Sequence, residues 1–381
     1  MAKRPQFPSV ASKLAQVVAV MWGYQESIAE AQPAVAADEF LDIDFNKEIE
    51  ENLMLVPKAG GLVPFRPWPK QKEMGDLIRQ CRREKRACKI VHVKCRQIGS
   101  TAYSSAIIFI LCMFLLYRNC KIVAHRRGGV ARELFRKQEI FYENLPEDKQ
   151  KPLKGSASGK RGQVNVDRLE YAAPHGSATW METAGGRAGE LGRSGTVQYQ
   201  VWTEFDWWEN QEENFSSAKA TIPKKGVTWD TLLIVESTAN GQRGLKQLWD
   251  EAQEPDSDYI PFFTGIKDDP YAWEEIIPGR KCEDVAKEQD KAAYQVAEEH
   301  GFVADALEAE YAERWGVCPE LLRWCRTVRK DDCFGSWDYF NQEYPVSPEV
   351  AFLFTGLPWY DQAKIQAMID AAEAEQGAIS R

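Results

Sequence analysis

From about residue 62 to residue 241, short apolar runs bounded by turn residues alternate with longer stretches whose apolar positions recur at helical spacing. Lys89-Ile90-Val91-His92-Val93, Lys121-Ile122-Val123-Ala124, Val197 to Trp202 and Thr231 to Glu236 read as strands, with a further strand pair near 164–183. Continuous rather than alternating apolarity is what strands buried on both faces of a parallel sheet require. Helices are expected at about Lys70 to Lys85, at 100–117 and at Gly129 to Asn144. The alternation predicts an α/β fold with a mainly parallel sheet flanked by helices. Ala106 to Tyr117 is apolar all round, yet it falls well short of the ~20 residues that a bilayer span needs, so it reads as a helix buried against the sheet and no membrane is expected.

Outside that stretch the pattern changes. Residues 1–60 read as an N-terminal helical extension, with an amphipathic helix over Ala11 to Ala31, an acidic patch from Asp38 to Asp44 and a break at Gly60-Gly61. Pro64-Phe65-Arg66-Pro67-Trp68-Pro69 is a stiff, extended approach to the core, because proline restricts both itself and the residue before it. The core is expected over 61–245. Residues 246–345 are acidic, helical and rich in Trp and Tyr, without comparable buried strands, and read as a small helical lid subdomain. Residues 346–381 close the fold and include an amphipathic helix from Asp361 to Glu375. No internal repeat or low-complexity tract is present.

Charge sharpens this division. The chain has 381 residues and a formal net charge of -9, but Arg66 to Arg161 holds 23 Lys and Arg against 8 Asp and Glu. A basic centre in an acidic chain suits a segment that faces phosphates, although solvated helix faces account for the same count. The nine cysteines form no C-x-x-C pair, and there are four histidines, so a zinc site is not expected and reduced thiols in a cytosolic protein are. Met1-Ala2-Lys3-Arg4 is followed by no apolar h-region, so no signal peptide is read.

The strand at 89–93 runs into Lys94-Cys95-Arg96-Gln97-Ile98-Gly99-Ser100-Thr101 and then a helix. Strand, loop and helix N-terminus are the parts of a phosphate-cradling P-loop (Walker A), in which backbone N–H groups bind polyphosphate. The spelling departs from G-x-x-x-x-G-K-[ST], since Ser100 stands at the lysine position. Gly99 supplies the turn, Thr101 a hydroxyl for Mg²⁺ or phosphate, and Lys94 or Arg96 the cation. Downstream, Tyr199-Gln200-Val201-Trp202 leads into Thr203-Glu204-Phe205-Asp206. An apolar strand ending in carboxylates is the Walker B arrangement, where a first acid orients Mg²⁺ and a second activates water. Here Thr203 holds the first place and Glu204 the second, so Glu204 is the candidate base and Asp206 a candidate metal carboxylate. A third strand ends in Glu236-Ser237-Thr238-Ala239-Asn240-Gly241, small polar residues suited to sensing a γ-phosphate. Taken singly, these are equally a basic turn, an acidic loop and an Asn-Gly strand ending. The pair Trp207-Trp208 is expected to pack the lid rather than stack bases.

In this order, the three motifs resemble the ATPase domain of the large terminase subunit of tailed double-stranded DNA phages. Lys94 to Thr101 is similar to that family's R-Q-x-G-x-[ST] loop, and Thr203-Glu204 to its acid motif with a hydroxyl residue first. Ser237, Thr238, Ala239 and Asn240 are similar to its coupling motif, and Phe340 to Pro345 with Glu349 to Phe352 to its closing segment. The resemblance covers about residues 62–356. It implies a P-loop ATPase fold of ASCE type and a Mg²⁺-dependent, ATP-hydrolysing motor that drives double-stranded DNA into a procapsid. It further implies that Gln71 contacts adenine and that Arg187 or Arg193, in a glycine-rich loop, serves as a finger. A portal protein, a small terminase subunit and a homo-oligomeric ring are the implied partners, and the host cytoplasm the implied location. Arg79, Arg82, Arg83, Lys85 and Arg86, or Arg126, Arg127, Arg132, Arg136 and Lys137, are candidate phosphate-contacting clusters, though solvated helix faces are the plainer reading. Only about twenty-five residues follow the closing segment, too few for the family's nuclease domain, so nuclease activity is not expected in this chain. The helix at 361–375 then reads as a linker toward that missing domain. A helicase-like remodelling ATPase and a catalytically weak nucleotide-binding assembly protein are the rival readings.

Overall fold

The computed structural model describes residues 40–125, 129–154, 168–185, 191, 195–269, 272, 299 and 301–353. The expected helices at Ala11 to Ala31 and Asp361 to Glu375 lie outside these residues, as do Arg126, Arg127, Arg187 and Arg193. The chain divides into two compact units, residues 1–42 and residues 43–381. Of the first, only a turn at residues 40–42 is described. Helix α1 (Phe45–Asn52) and the small antiparallel ribbon of β1 (Met54–Leu55) with β2 (Val63–Pro64) belong to the second unit.

The second unit is built on a seven-stranded sheet in the order β5-β6-β4-β7-β8-β3-β9. Its members are β3 (Cys88–Lys94), β4 (Asn119–Ala124), β5 (Arg168–Glu170), β6 (Ala178–Thr183), β7 (Tyr199–Thr203), β8 (Leu232–Ser237) and β9 (Ile260–Thr264). Every pairing is parallel except β5 with β6. The expected α/β class and mainly parallel sheet are therefore present. The feature that positions the site is the place of β8. It comes late in the chain, yet lies between β3, which feeds the P-loop-like segment, and β7, which ends at Glu204.

Strand β9 is a partly buried strand within residues 246–345 that the sequence reading did not single out. Ile260-Pro261-Phe262-Phe263-Thr264 pairs with β3 alone and closes the sheet edge. Proline lacks a ladder donor and is confined to such edges, so the run looked unlike the buried strands at the centre.

Helix α2 (Pro69–Arg83) precedes β3, α3 (Ser100–Phe114) follows it, and α4 (Gly129–Glu143) follows β4. Residues 106–112 of α3 are fully buried, which accounts for its all-round apolarity. The helix ends three residues before the expected 117, where Leu115 turns extended and Tyr117 adopts a positive φ of 54°. Tyr103 of α3 approaches α2 at Gly75, where no side chain would fit against its hydroxyl, and donates a 2.6 Å hydrogen bond to Asn46 of α1. On the opposite face, α6 (Gly244–Gln253), which follows α5 (Gln211–Lys219), packs with Trp202, Phe205, Val91, Val93 and Val235. Trp208 is buried in this cluster, against Trp202 and Phe205. The same cluster takes in Leu248, Ala252 and Tyr259 from the stretch read as the lid.

Helices α7 (Ala306–Trp315), α8 (Pro319–Asp331), α9 (Trp337–Glu343) and α10 (Pro348–Ala351) form a second core. It includes Leu321, Leu322, Cys325 and Phe340, and it takes in Cys95 and Ile98 from the loop after β3. Among the described residues no helix is long and apolar enough to cross a membrane.

At the amino ends of the strands, Asp230 accepts hydrogen bonds from Arg82 Nη1 (2.6 Å), Arg118 Nε (3.0 Å) and Tyr199 Oη (2.6 Å). Arg79 pairs with Asp44 at 2.9 Å and Arg86 with Glu84 at 2.7 Å. Much of this basic cluster is therefore spent on internal ion pairs. Removing Arg82 leaves Asp230 with Arg118 and Tyr199, so the loss is that of a hydrogen bond to a charged group, about 1.5–3 kcal/mol. Arg82→Ala is accordingly expected to lose about that much stability in urea titrations; a change within error would refute the structural role given to this arginine.

Candidate active site

The carboxyl ends of β3, β7 and β8 open onto a cleft of about 910 Å³. Its floor is the segment Lys94 to Thr101, and its far wall is formed by the β1–β2 ribbon and the extended residues Pro64 to Trp68. Gln97 and Gly99 have positive φ values of 61° and 75°. Gly99 caps α3, so the chain reverses and presents the helix N-terminus to the cleft. An aligned helix start with unpaired N–H groups favours anions, phosphates above all.

Lys94 and Arg96, the two candidate cations, lie differently about this floor. Lys94 is 4% exposed, and its Nζ lies 2.9 Å from Glu204 Oε1. Burial disfavours its ammonium, yet the Glu204 and Glu236 carboxylates outweigh that and hold its pKa above the ordinary lysine value. Burial likewise opposes charge on Glu204, but Lys94 and His125 hold that carboxyl below its ordinary value. Arg96 instead lies at the rim, with its side chain 55% exposed and 3.5 Å from Glu343 of α9. Its backbone N–H donates to Glu343 O at 2.7 Å. Arg96 thus ties loop to lid helices, while Lys94 faces the acid.

Glu204 has a φ of 49°, an unfavourable left-handed conformation for a residue with a side chain. It is held there by Lys94 and by the backbone N–H of Thr238. Thr238 also lines the cleft and accepts a 3.3 Å hydrogen bond from Trp207 Nε1. Among the other coupling residues, Ser237 Oγ accepts from Asp206 N (3.3 Å) and Ala239 is buried in the core. Asn240 N donates to Asp206 Oδ2 (2.9 Å).

The cleft therefore brings together Gln71, Lys94, Arg96, Gln97, Ile98, Gly99, Ser100, Thr101, Glu204 and Thr238. Gln71 is largely engaged already: its Oε1 accepts from Trp68 N (3.0 Å) and its Nε2 donates to Gly99 O (3.3 Å). The side chain of Ile98 is turned into the lid core.

Asp206 requires correction as a metal carboxylate. It is fully buried away from the cleft, and its oxygens accept from Asn240 N, Leu245 N (2.8 Å) and Gln211 Nε2 (3.3 Å). Burial raises its pKa despite these donors. Its work is to fasten the end of the β7 loop to the turn after β8 and to the start of α6.

Sequence reasoning passed over several residues of this site. Lys137 lines the cleft instead of an outer basic surface, and Arg66, Lys58 and His125 line it too. Glu236 lay inside a quoted motif without being given a role. It is fully buried on β8, with Ser104 Oγ 3.1 Å from its Oε2 and the Thr101 hydroxyl also bonded to it. Burial raises its pKa, against the opposing pull of Lys94 and the two hydroxyls. A carboxylate inside an apolar run was the available signal.

No family model matches the chain, and no curated protein does. Solved structures do. The large terminase of bacteriophage HK97 is 18% identical, with 65% of this chain and 51% of the other covered and a TM-score of 0.47. The chain thus spans about half the length of that protein. The large terminase ATPase domain of Thermus phage P74-26 is 14% identical over 74% of this chain and 94% of its own, with a TM-score of 0.41. A large terminase from a thermophilic bacteriophage, in complex with ADP, is 11% identical over 51% of this chain and 46% of its own, with a TM-score of 0.36.

The structural role of Asp206 has a measurable consequence. Hydrogen bonds to a charged group contribute about 1.5–3 kcal/mol, so Asp206→Ala is expected to destabilise the fold by at least that amount. Chemical denaturation with and without Mg²⁺ checks this: a loss of metal affinity at unchanged stability would restore the metal assignment.

Proposed function

We propose that this chain is the ATP-hydrolysing motor domain of a viral DNA-packaging large terminase. The observation that carries the reading is the Lys94–Glu204 pair, its ammonium buried, set beside a helix N-terminus at the carboxyl ends of β3 and β7, the two parallel strands that flank β8. That is where open α/β sheets bind ligands. The motif order from Lys94 through Glu204 to Asn240 supports the same assignment.

In this mechanism, backbone N–H groups from Gln97 to Thr101 and the start of α3 receive the phosphates. Lys94 exchanges Glu204 for the incoming anion, which leaves the Glu204 carboxylate free to accept a proton from water. The water oxygen bonds to the γ-phosphorus as the bond to the bridging oxygen breaks, so that ADP departs with that electron pair. Mg²⁺ is a hard cation that prefers oxygen, and when bound with the nucleotide it neutralises charge developing on the phosphate oxygens. Oxygen donors fit it here, with the Thr101 hydroxyl as a holding group. Among the described residues no group of three or more His, Cys, Asp or Glu could hold a metal alone, which suits an ion carried in with phosphates.

The hydrogen bond between Thr238 and Glu204 gives the segment after β8 a direct link to the base, and Arg96 with Glu343 links the loop to the lid helices. Through these links, hydrolysis would displace the lid helices α7 to α9 and advance double-stranded DNA. Arg187 or Arg193 as finger, Gln71 as adenine contact, a ring of copies on a portal protein, a small terminase subunit and a host-cytoplasmic setting complete the proposal.

Single-turnover hydrolysis tests it. A general base contributes about 10²–10⁴-fold, so Glu204→Gln should slow the chemical step by that range while retaining ATP; equal rates in the two proteins would sink the assignment. Lys94→Ala is expected to weaken ATP binding strongly and Arg96→Ala only modestly, measured by calorimetry. The reverse order would give Arg96 the phosphate.

A further inference from the structure

One role in an ATPase site of this kind is unfilled by the residues above. Strand β7 ends in Thr203 where a carboxylate ordinarily precedes the base, and the Thr203 hydroxyl is turned to Val123 O at 3.3 Å. Asp206, the nearest replacement along the chain, is committed to backbone amides.

The sheet register offers another source. In the parallel pairing of β7 with β8, Glu236 stands opposite Thr203, and in the pairing of β3 with β8 it stands opposite His92. Opposed residues in neighbouring strands project to the same face. Val91, Val93, Trp202, Leu233 and Val235 all pack on the α6 side. Alternation therefore sends Thr203 and Glu236 to the α3 side, beneath the phosphate loop.

There the Ser104 hydroxyl donates to Glu236 Oε2 at 3.1 Å and the Thr101 hydroxyl lies near enough to favour the charged carboxylate, while Oε1 is buried with no hydrogen-bond partner. Buried polar atoms are nearly always satisfied, and one that is not calls for a specific account. A carboxylate oxygen can be satisfied by a cation or its bound water, and the Thr101 hydroxyl beside it is the group expected to contact one.

We infer that Glu236 is the metal-orienting carboxylate of this site, supplied by β8 in place of the acid that β7 lacks. The inference rests on the ATPase reading given above. It assigns Glu236 to the Mg²⁺ that accompanies the nucleotide, and Thr203 to a position made dispensable for metal by its neighbour one strand away. A carboxylate that merely braced Thr101 and Ser104 would weaken nucleotide binding alike with and without metal.

ATPγS affinity, measured by calorimetry in Mg²⁺ and in EDTA for the wild-type protein and Glu236→Gln, separates the two. The wild type is expected to bind more tightly in Mg²⁺. The variant should keep its affinity in EDTA and lose about 10–100-fold of the Mg²⁺-dependent gain, the usual effect of removing a group that orients a metal site. A full gain in the variant, equal weakening in both conditions, or no Mg²⁺ gain in the wild type overturns the inference and leaves the nucleotide site standing. A wild type that binds no ATPγS in either condition overturns the site itself. Should Glu236→Gln fail to fold, anomalous scattering from Mn²⁺ in wild-type crystals with ADP decides. Mn²⁺ joined to Glu236 directly or through one water supports the inference, and Mn²⁺ held elsewhere refutes it.

Discussion

A buried ammonium held between two carboxylates governs the architecture around the cleft. Lys94 emerges from the end of β3, Glu204 from the end of β7 and Glu236 from the strand between them. Taking such charges out of water is expensive, and their mutual attraction offsets that cost only with good geometry. The parallel register and the left-handed turn at Glu204 provide the geometry. Under the proposed function, an arriving polyphosphate would compete with an internal anion, and whatever it won from Lys94 it would release at Glu204. Affinity and activation would be two readings of one exchange.

Much of this was legible in the sequence for a simple reason. Strands covered on both faces are rich in apolar residues, and β3, β4, β7 and β8 each hold an apolar run, so their existence and type could be read from runs of residues alone. The motifs at their ends followed. Strand β9 escaped because an edge strand pairs on one side only and tolerates Pro261. Asp206 escaped for a different reason: a 3₁₀ turn over Phe205–Trp207 redirects adjacent side chains, sending Asp206 and Trp208 into the interior and leaving Trp207 41% exposed. The meaning of Glu236 depends on which strand lies beside β7, a fact of topology that no local window contains.

Charge counting was the least faithful guide. The excess of Lys and Arg between residues 66 and 161 is real, but Arg79, Arg82, Arg86 and Arg118 are paired with acids, and Lys94 and Lys137 line the cleft. Sequence distance hides these pairings, since Asp230 lies far along the chain from Arg82. A segment can thus be strongly basic in composition while much of its charge is neutralised within the fold.

The joint between the loop and the lid helices carries a thermodynamic obligation. Cys95 and Ile98 are packed in the core of α8 to α10, and Arg96 is bonded to Glu343 by backbone and side chain. If nucleotide shifts the preferred placement of those helices, a partner that grips them must alter nucleotide affinity by the same factor, because coupling free energies are reciprocal. Mechanical load on the lid would then register in the cleft as a changed dissociation constant, making the joint a strain gauge as much as a lever.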